Sequence, residues 1–313
     1  MKTGRRLALF FRCGLAVFLI ICVLGVVAYL GKTQGDEASQ PVIGLESMSP
    51  IEQEAWDVAA QVMGSGKEAQ EQFVSQILDL YDKVKGHDFA IFCTPGGWGK
   101  KPLEADRQGQ TWLAGIKSEL TKLGYNYCEI EDIRTGTGFL STLFELKEQL
   151  THYPSKAKES AAKIDFLTRH INGLKVIITG QSNGAAFAGE VISRLRGNPG
   201  VYSIQIGIPF WHRVVKTDKS LVIDNNGFGA DALTQRDIVG IVKANWVKLF
   251  ILNKVPAFTP FDWLVSRAVL IFGPYNLGMT GLGMEAPGHD YMWQYPGVGP
   301  KIQDFLVKNF STK

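Results

Sequence analysis

Three regimes of hydrophobic patterning follow one another along the chain. Cys13 to Leu30 is an uninterrupted apolar stretch of eighteen residues, just long enough to cross a bilayer as a helix. Residues 32–49 are polar and rich in Gly, Ser and Gln, which suits a tether. From residue 50 onward the apolar positions become periodic. Ile51 to Met63 and Lys67 to Val84 carry helical spacing, the second with Phe73, Ile77, Leu78, Leu80 and Tyr81 on one face, and Ser49-Pro50 opens the first. Asp88 to Cys93 then reads as a strand, Thr111 to Leu123 as a helix stopped by Gly124, and Asn126 to Ile133 as a second strand. A helical region from Phe139 through Ile171 is broken at Pro154 and closed by Gly173. Strands are predicted at Val176 to Ile178, Val201 to Ile208 and Leu221 to Asp224, with a helix through Leu195 and a terminal one at Pro300 to Phe310. Strand and helix alternate throughout. That alternation predicts an α/β fold with a mostly parallel sheet and helices on both faces.

One stretch departs from the alternation. Residues 245–284 are apolar and aromatic, with Trp246, Phe250, Trp263 and Phe272 interleaved with Pro and Gly. Lys248, Lys254, Asp262 and Arg267 interrupt it, which argues against a second membrane crossing. The predicted organisation is therefore an anchor at 1–31, a linker at 32–49, and one α/β domain at 50–313 in which 245–284 forms a cap or ordinary core.

Charge sharpens this division. The net charge of +3 conceals an asymmetry: residues 1–32 hold Lys2, Arg5, Arg6, Arg12 and Lys32 with no acid, leaving 28 basic and 30 acidic residues elsewhere. The domain has no basic surplus, so a nucleic-acid partner is not expected. Positive charge before the apolar run, with Asp36 and Glu37 after it, predicts a single-pass signal-anchor, its N-terminus cytoplasmic and its domain extracytoplasmic, periplasmic or lumenal. The alternative is a signal peptide cleaved near Val26-Val27-Ala28, giving a secreted protein. Cys13 and Cys22 belong to the apolar run; Cys93 and Cys128 fall in predicted strands, as buried thiols or, in an oxidising compartment, as a disulfide. No Cys/His cluster has metal-ligand spacing, and neither metal nor cofactor is expected.

The chemistry centres on Lys175 to Leu195, KVIITGQSNGAAFAGEVISRL. A β-branched run is cut by Gly180-Gln181-Ser182-Asn183-Gly184, and an Ala-rich helical pattern follows at once. Glycine two before and two after a serine, between strand and helix, is the nucleophile-elbow pattern, in which a tight turn leaves no room for side chains at the flanking positions. On these residues the chain resembles the α/β-hydrolase superfamily of serine esterases and lipases, over roughly 88–310. The resemblance implies a serine hydrolase acting on carboxylic esters, small-molecule or lipid, with Ser182 as nucleophile. It also implies that the strands holding Cys93 and Cys128 are neighbours. Thr94-Pro95-Gly96-Gly97-Trp98-Gly99 follows the first strand, where the resembled family often has a Gly-rich loop contributing to the oxyanion hole. The implied donors are the amides of Gly97, alternatively Trp98, and Asn183.

A serine hydroxyl needs a base, and the base a carboxylate that fixes its tautomer. In the resembled fold the chain order is Ser, acid, His, which selects His289 in Pro287-Gly288-His289-Asp290-Tyr291. His87, His152, His170 and His212 are expected to be surface or packing residues. Asp231, on the loop Asp224 to Thr234, is the preferred acid by the placement usual in lipase-like members; Asp224 is the alternative, and Asp237 is more remote. Either aspartate also suits a plain Asx turn. Two other readings remain. Gly180-Gln181-Ser182-Asn183 also resembles the serine block of SGNH-type carbohydrate esterases, although two strand-helix units precede it and Glu285-Ala286-Pro287-Gly288 stands where a D-x-x-H block would end in His289. A hydrolase-like domain could also be a non-catalytic binding module.

Overall fold

A computed structural model describes residues 48–136, 139–245 and 285–311. The expected anchor at 1–31, the expected linker up to residue 47 and residues 246–284 of the expected cap or core segment lie outside the described residues. Among the described residues no helix is long and apolar enough to cross a membrane.

Five strands form one all-parallel sheet: β1 (Phe89–Thr94), β2 (Tyr127–Glu131), β3 (Lys175–Gln181), β4 (Val201–Ile206) and β5 (Ser220–Ile223), in the order β2-β1-β3-β4-β5. Every residue of β1 and the middle five of β3 are buried. That accounts for their largely apolar character, since a parallel strand covered on both faces has no wet side.

Side chains along each strand alternate between two cores. Phe89, Ile91 and Cys93, with Ile177, Ile204 and Ile206, pack against Trp112, Ile116 and Leu120 of α3 (Arg107–Lys122) and Ile302, Leu306 and Phe310 of α8 (Gly299–Phe310). Ala90, Phe92, Val176 and Ile178 face the other way, towards Ile164 and Leu167 of α5 (Lys156–His170) and Phe187 and Val191 of α6 (Asn183–Arg194). Helices therefore cover both faces. A third cluster joins α1 (Pro50–Met63) and α2 (Lys67–Val84) to α5 through Ala59, Phe73, Ile77 and Phe166. The first of these helices opens with a capping box, Glu52 N–H donating to Ser49 Oγ at 3.3 Å and Ser49 N–H to Glu52 Oε2 at 2.7 Å.

Cys93 and Cys128 are free and buried, and they are not bonded to each other. Their strands do pair, but Cys128 stands opposite Ala90 and Cys93 opposite Glu131, an odd offset that sends the two thiols to opposite cores.

The helical region before β3 divides into α4 (Phe139–Leu150) and α5. The break begins ahead of Pro154, with His152 and Tyr153 at φ of 61° and 54°. Tyr153 is fully buried, and Glu148 at the end of α4 reaches across to accept from Ser155 Oγ at 2.7 Å and from the Lys156 N–H at 3.1 Å. A carboxylate on free amides at a helix start is favourable, so one helix caps the next. A short α7 (Ile238–Ala244) is capped by Asp237, which accepts from Gly240 N–H at 2.8 Å.

Strand order reverses between β1 and β3. In open α/β sheets the crevice at the carboxyl ends of such strands is where ligands bind, and the Gly-rich loop after β1 and Ser182 after β3 both emerge there.

Candidate active site

Ser182 sits between β3 and α6 with φ 58° and ψ −126°, a conformation an L side chain adopts at a cost of about 1–3 kcal/mol. Its N–H donates to Ile206 O of β4 at 2.8 Å, and its carbonyl accepts from Ala186 N–H at 3.1 Å. The flanking glycines are needed because the β1 backbone passes close beneath the turn. A Cβ at Gly180 would overlap Thr94 Oγ1, and one at Gly184 would overlap the Thr94 carbonyl and lie 2.8 Å from that of Pro95. The Thr94 hydroxyl completes the seam, 2.8 Å from Gly184 O and 3.1 Å from Thr179 O.

Asp231 is fully buried on the loop after β5. His289 Nδ1 lies 2.7 Å from Asp231 Oδ2, and the Tyr291 hydroxyl donates to the same oxygen at 2.5 Å. Oδ1 accepts from the N–H groups of Leu233 at 2.8 Å and Thr234 at 3.2 Å. Burial raises the Asp231 carboxyl, but His289, Tyr291 and the Leu233 amide outweigh it and hold its pKa below the ordinary value. Burial and the same carboxylate push the Tyr291 phenol up, so it remains a donor. An ionised carboxylate only accepts, so the neutral imidazole carries its proton on Nδ1 and presents the Nε2 lone pair. Asp224, the alternative acid, is exposed; its carbonyl takes the Thr234 hydroxyl at 3.2 Å.

The loop that carries His289 is tied down on several sides. Asn226 Nδ2 donates to Asp290 O at 2.9 Å, and Gln108 Oε1 accepts both Tyr291 N–H at 3.1 Å and Gln181 Nε2 at 2.7 Å. Gln108 thus joins the residue before the serine to the segment after the histidine. The His289 and Tyr291 rings pack over Gly207, with His289 Cε1 3.0 Å from where a Cβ would stand. Ser182 and His289 are therefore seated on consecutive residues, Ile206 and Gly207, at one strand end. The Ser182 hydroxyl is not hydrogen-bonded to the imidazole; among the described residues its Oγ has no partner.

The Gly-rich loop lies against the start of α6. Asn183, at the first helical position, has no intrahelical acceptor for its N–H. Its side chain is buried and donates through Nδ2 to Gly97 O at 3.1 Å and to Gln149 Oε1 at 3.0 Å. Gly97 (φ 56°) and Trp98 form the turn closed by Gly99 N–H on Gly96 O at 3.0 Å, and neither of their amides is taken up by backbone bonding among the described residues. His212, placed by sequence with the surface or packing histidines, is buried with Nε2 3.1 Å from Asn183 Oδ1, and it stacks on Tyr153. Burial, with His152 and Arg134 nearby, lowers its pKa to about 4 against an opposing pull from Glu190. Its placement carries no sequence signal, for it lies outside any motif and meets Asn183 only through the fold.

Comparison with models of known protein families finds no match, and comparison with curated proteins finds none.

Proposed function

We propose that the protein is a serine hydrolase of α/β-hydrolase type that cleaves carboxylic esters. Residues 13–30 hold it in a membrane, with the domain on the extracytoplasmic side; secretion after signal cleavage is the alternative. In this reading Nε2 of His289 removes the Ser182 proton as Oγ attacks the ester carbonyl carbon. The carbonyl oxygen takes the negative charge, facing the amides of Asn183 and of Gly97 or Trp98. Collapse of the tetrahedral adduct expels the alkoxide, which leaves with the proton from His289. Water then repeats the sequence and releases the acid. Asp231 holds the imidazole tautomer throughout.

The observation that carries this reading is the pairing of a serine at positive φ, between strand and helix, with a His289–Asp231 couple seated on the adjoining strand end. The lack of a Ser182–His289 hydrogen bond supports the alternative of a binding module; catalytic bonds of this kind also tighten only when substrate arrives. A fluorophosphonate probe separates the two. Labelling is expected in the full chain and should vanish in Ser182→Ala, while His289→Ala should lower ester turnover about 10⁴-fold or more. A folded chain that takes no label favours the binding module. Rates on short and long acyl esters divide small-molecule from lipid substrates.

A further inference from the structure

We infer that His212 is a positioning residue for the oxyanion site, acting through the buried Asn183 side chain on the Gly-rich loop. The inference rests on the hydrolase reading above and adds a residue to it. Asn183 has two faces, and they are not interchangeable. Its Nδ2 meets two acceptors, Gly97 O and Gln149 Oε1, at 3.1 and 3.0 Å. Its Oδ1 meets His212 Nε2 at 3.1 Å. Were the amide rotated by half a turn, Oδ1 would face the Gly97 carbonyl, which can only accept. That carbonyl therefore sets the orientation of Asn183, and a neutral His212 meets the Oδ1 so presented with its proton on Nε2, adding a donor that holds the amide in place.

That orientation is shared with a second arm. Gln149 Nε2 donates to Gly97 O at 3.0 Å and to Glu145 Oε1 at 3.3 Å. Arg134 Nη1 donates to Pro95 O at 2.8 Å while its Nε contacts Glu145 Oε1 at 3.3 Å, and Lys156 Nζ holds Glu145 Oε2 at 2.7 Å. The Arg134 and Glu145 side chains are essentially excluded from solvent, at 1% and 0% exposure. The carbonyls of Pro95 and Gly97 are thus held from within. In a planar trans peptide the following N–H points the opposite way, so holding a carbonyl aims the next amide. Holding Gly97 O aims the Trp98 N–H and fixes the turn that contains the Gly97 N–H. Because Asn183 supplies the other amide, the side chain that His212 holds joins both halves of the proposed oxyanion site.

The test uses the full chain with p-nitrophenyl butyrate as substrate and a fluorophosphonate as a second probe. His212→Phe keeps an aromatic ring beside Tyr153 but removes the donor; His212→Gln can place an amide N–H where Nε2 stood. His212→Phe is expected to lower kcat about tenfold to a hundredfold with little change in KM, since a displaced oxyanion donor acts on the transition state. His212→Gln should recover most of the loss. A His212→Phe chain with kcat within about twofold of the unaltered protein overturns the inference. So does a His212→Gln chain as impaired as His212→Phe. If His212→Phe does not fold, His212→Leu and His212→Met, which remove the same donor, are read in its place, and a folded one with kcat within about twofold of the unaltered protein overturns the inference equally. An unaltered protein that neither hydrolyses the ester nor takes the probe sinks the hydrolase reading itself, a result distinct from all of these.

Discussion

At Ser182 the backbone conformation and the side chain are opposed, and the opposition can be measured without any substrate. Glycine adopts φ near +58° freely, so Ser182→Gly is expected to be more stable than Ser182→Ala by about 1–2 kcal/mol in chemical denaturation, although neither retains the hydroxyl. Equal stabilities would show that the turn is unstrained. His212 supplies a pH dependence. Its pKa is lowered from 6.5 to about 4 in the fold, so between those values the unfolded chain binds more protons. The contribution is intact above pH 6.5 and is lost as pH falls towards 4, by up to about 3 kcal/mol. The unaltered protein should lose this increment on acidification, whereas His212→Phe, less stable at pH 7, should show a shallower decline; parallel curves would remove the assignment. Asp231 acts lower on the scale. Its depressed pKa contributes stability above the usual carboxylate range, which is lost as pH falls through the still lower folded value.

Among the elements, the strand-turn-helix of β3 and α6 was the most legible from sequence, and the structure shows why. Its signal is local: a β-branched run, two glycines excluded from carrying side chains by the Thr94 backbone, and an Ala-rich helix. Gly184→Ala is accordingly expected to cost the upper end of about 1–3 kcal/mol, or to prevent folding, as read by thermal melting. A neutral outcome would mean that β1 and α6 are not in contact at Gly184. Element ends were less legible. Helix α3 starts at Arg107, ahead of the Thr111 expected from the apolar face that begins at Trp112, because its first turn carries no buried apolar residue except the small Gly109. Strand β2 stops at Glu131 and leaves Ile133 49% exposed, a hydrophobic residue that pattern alone assigned to the sheet. The clamp on the Gly-rich loop was not legible at all, since Arg134, Glu145, Gln149 and His212 come from separate segments and look like ordinary polar residues one at a time.

For the whole molecule, alternation of strand and helix was enough to give a parallel sheet covered on both faces, because each strand must bury two sides and each crossover must return over one of them. Sheet order, the seating of Ser182 and His289 on neighbouring residues at the end of β4, and the buried polar clamp depend on contacts between distant segments and emerge only in three dimensions. The two sulfur atoms of the sheet draw a practical consequence from that architecture. Cys93 lies in β1, flanked by strands on both sides, while Cys128 lies in β2 at the sheet's margin. An alkylating reagent reaches either one only when its surroundings part, and fraying of a marginal strand requires less disruption than opening the middle of the sheet. Site-resolved mass spectrometry under native conditions should find Cys128 modified well before Cys93, and equal rates would indicate that the sheet opens as one unit. The protein thus contains a pair of clocks, one timing its edge and the other its heart, with no foreign label installed.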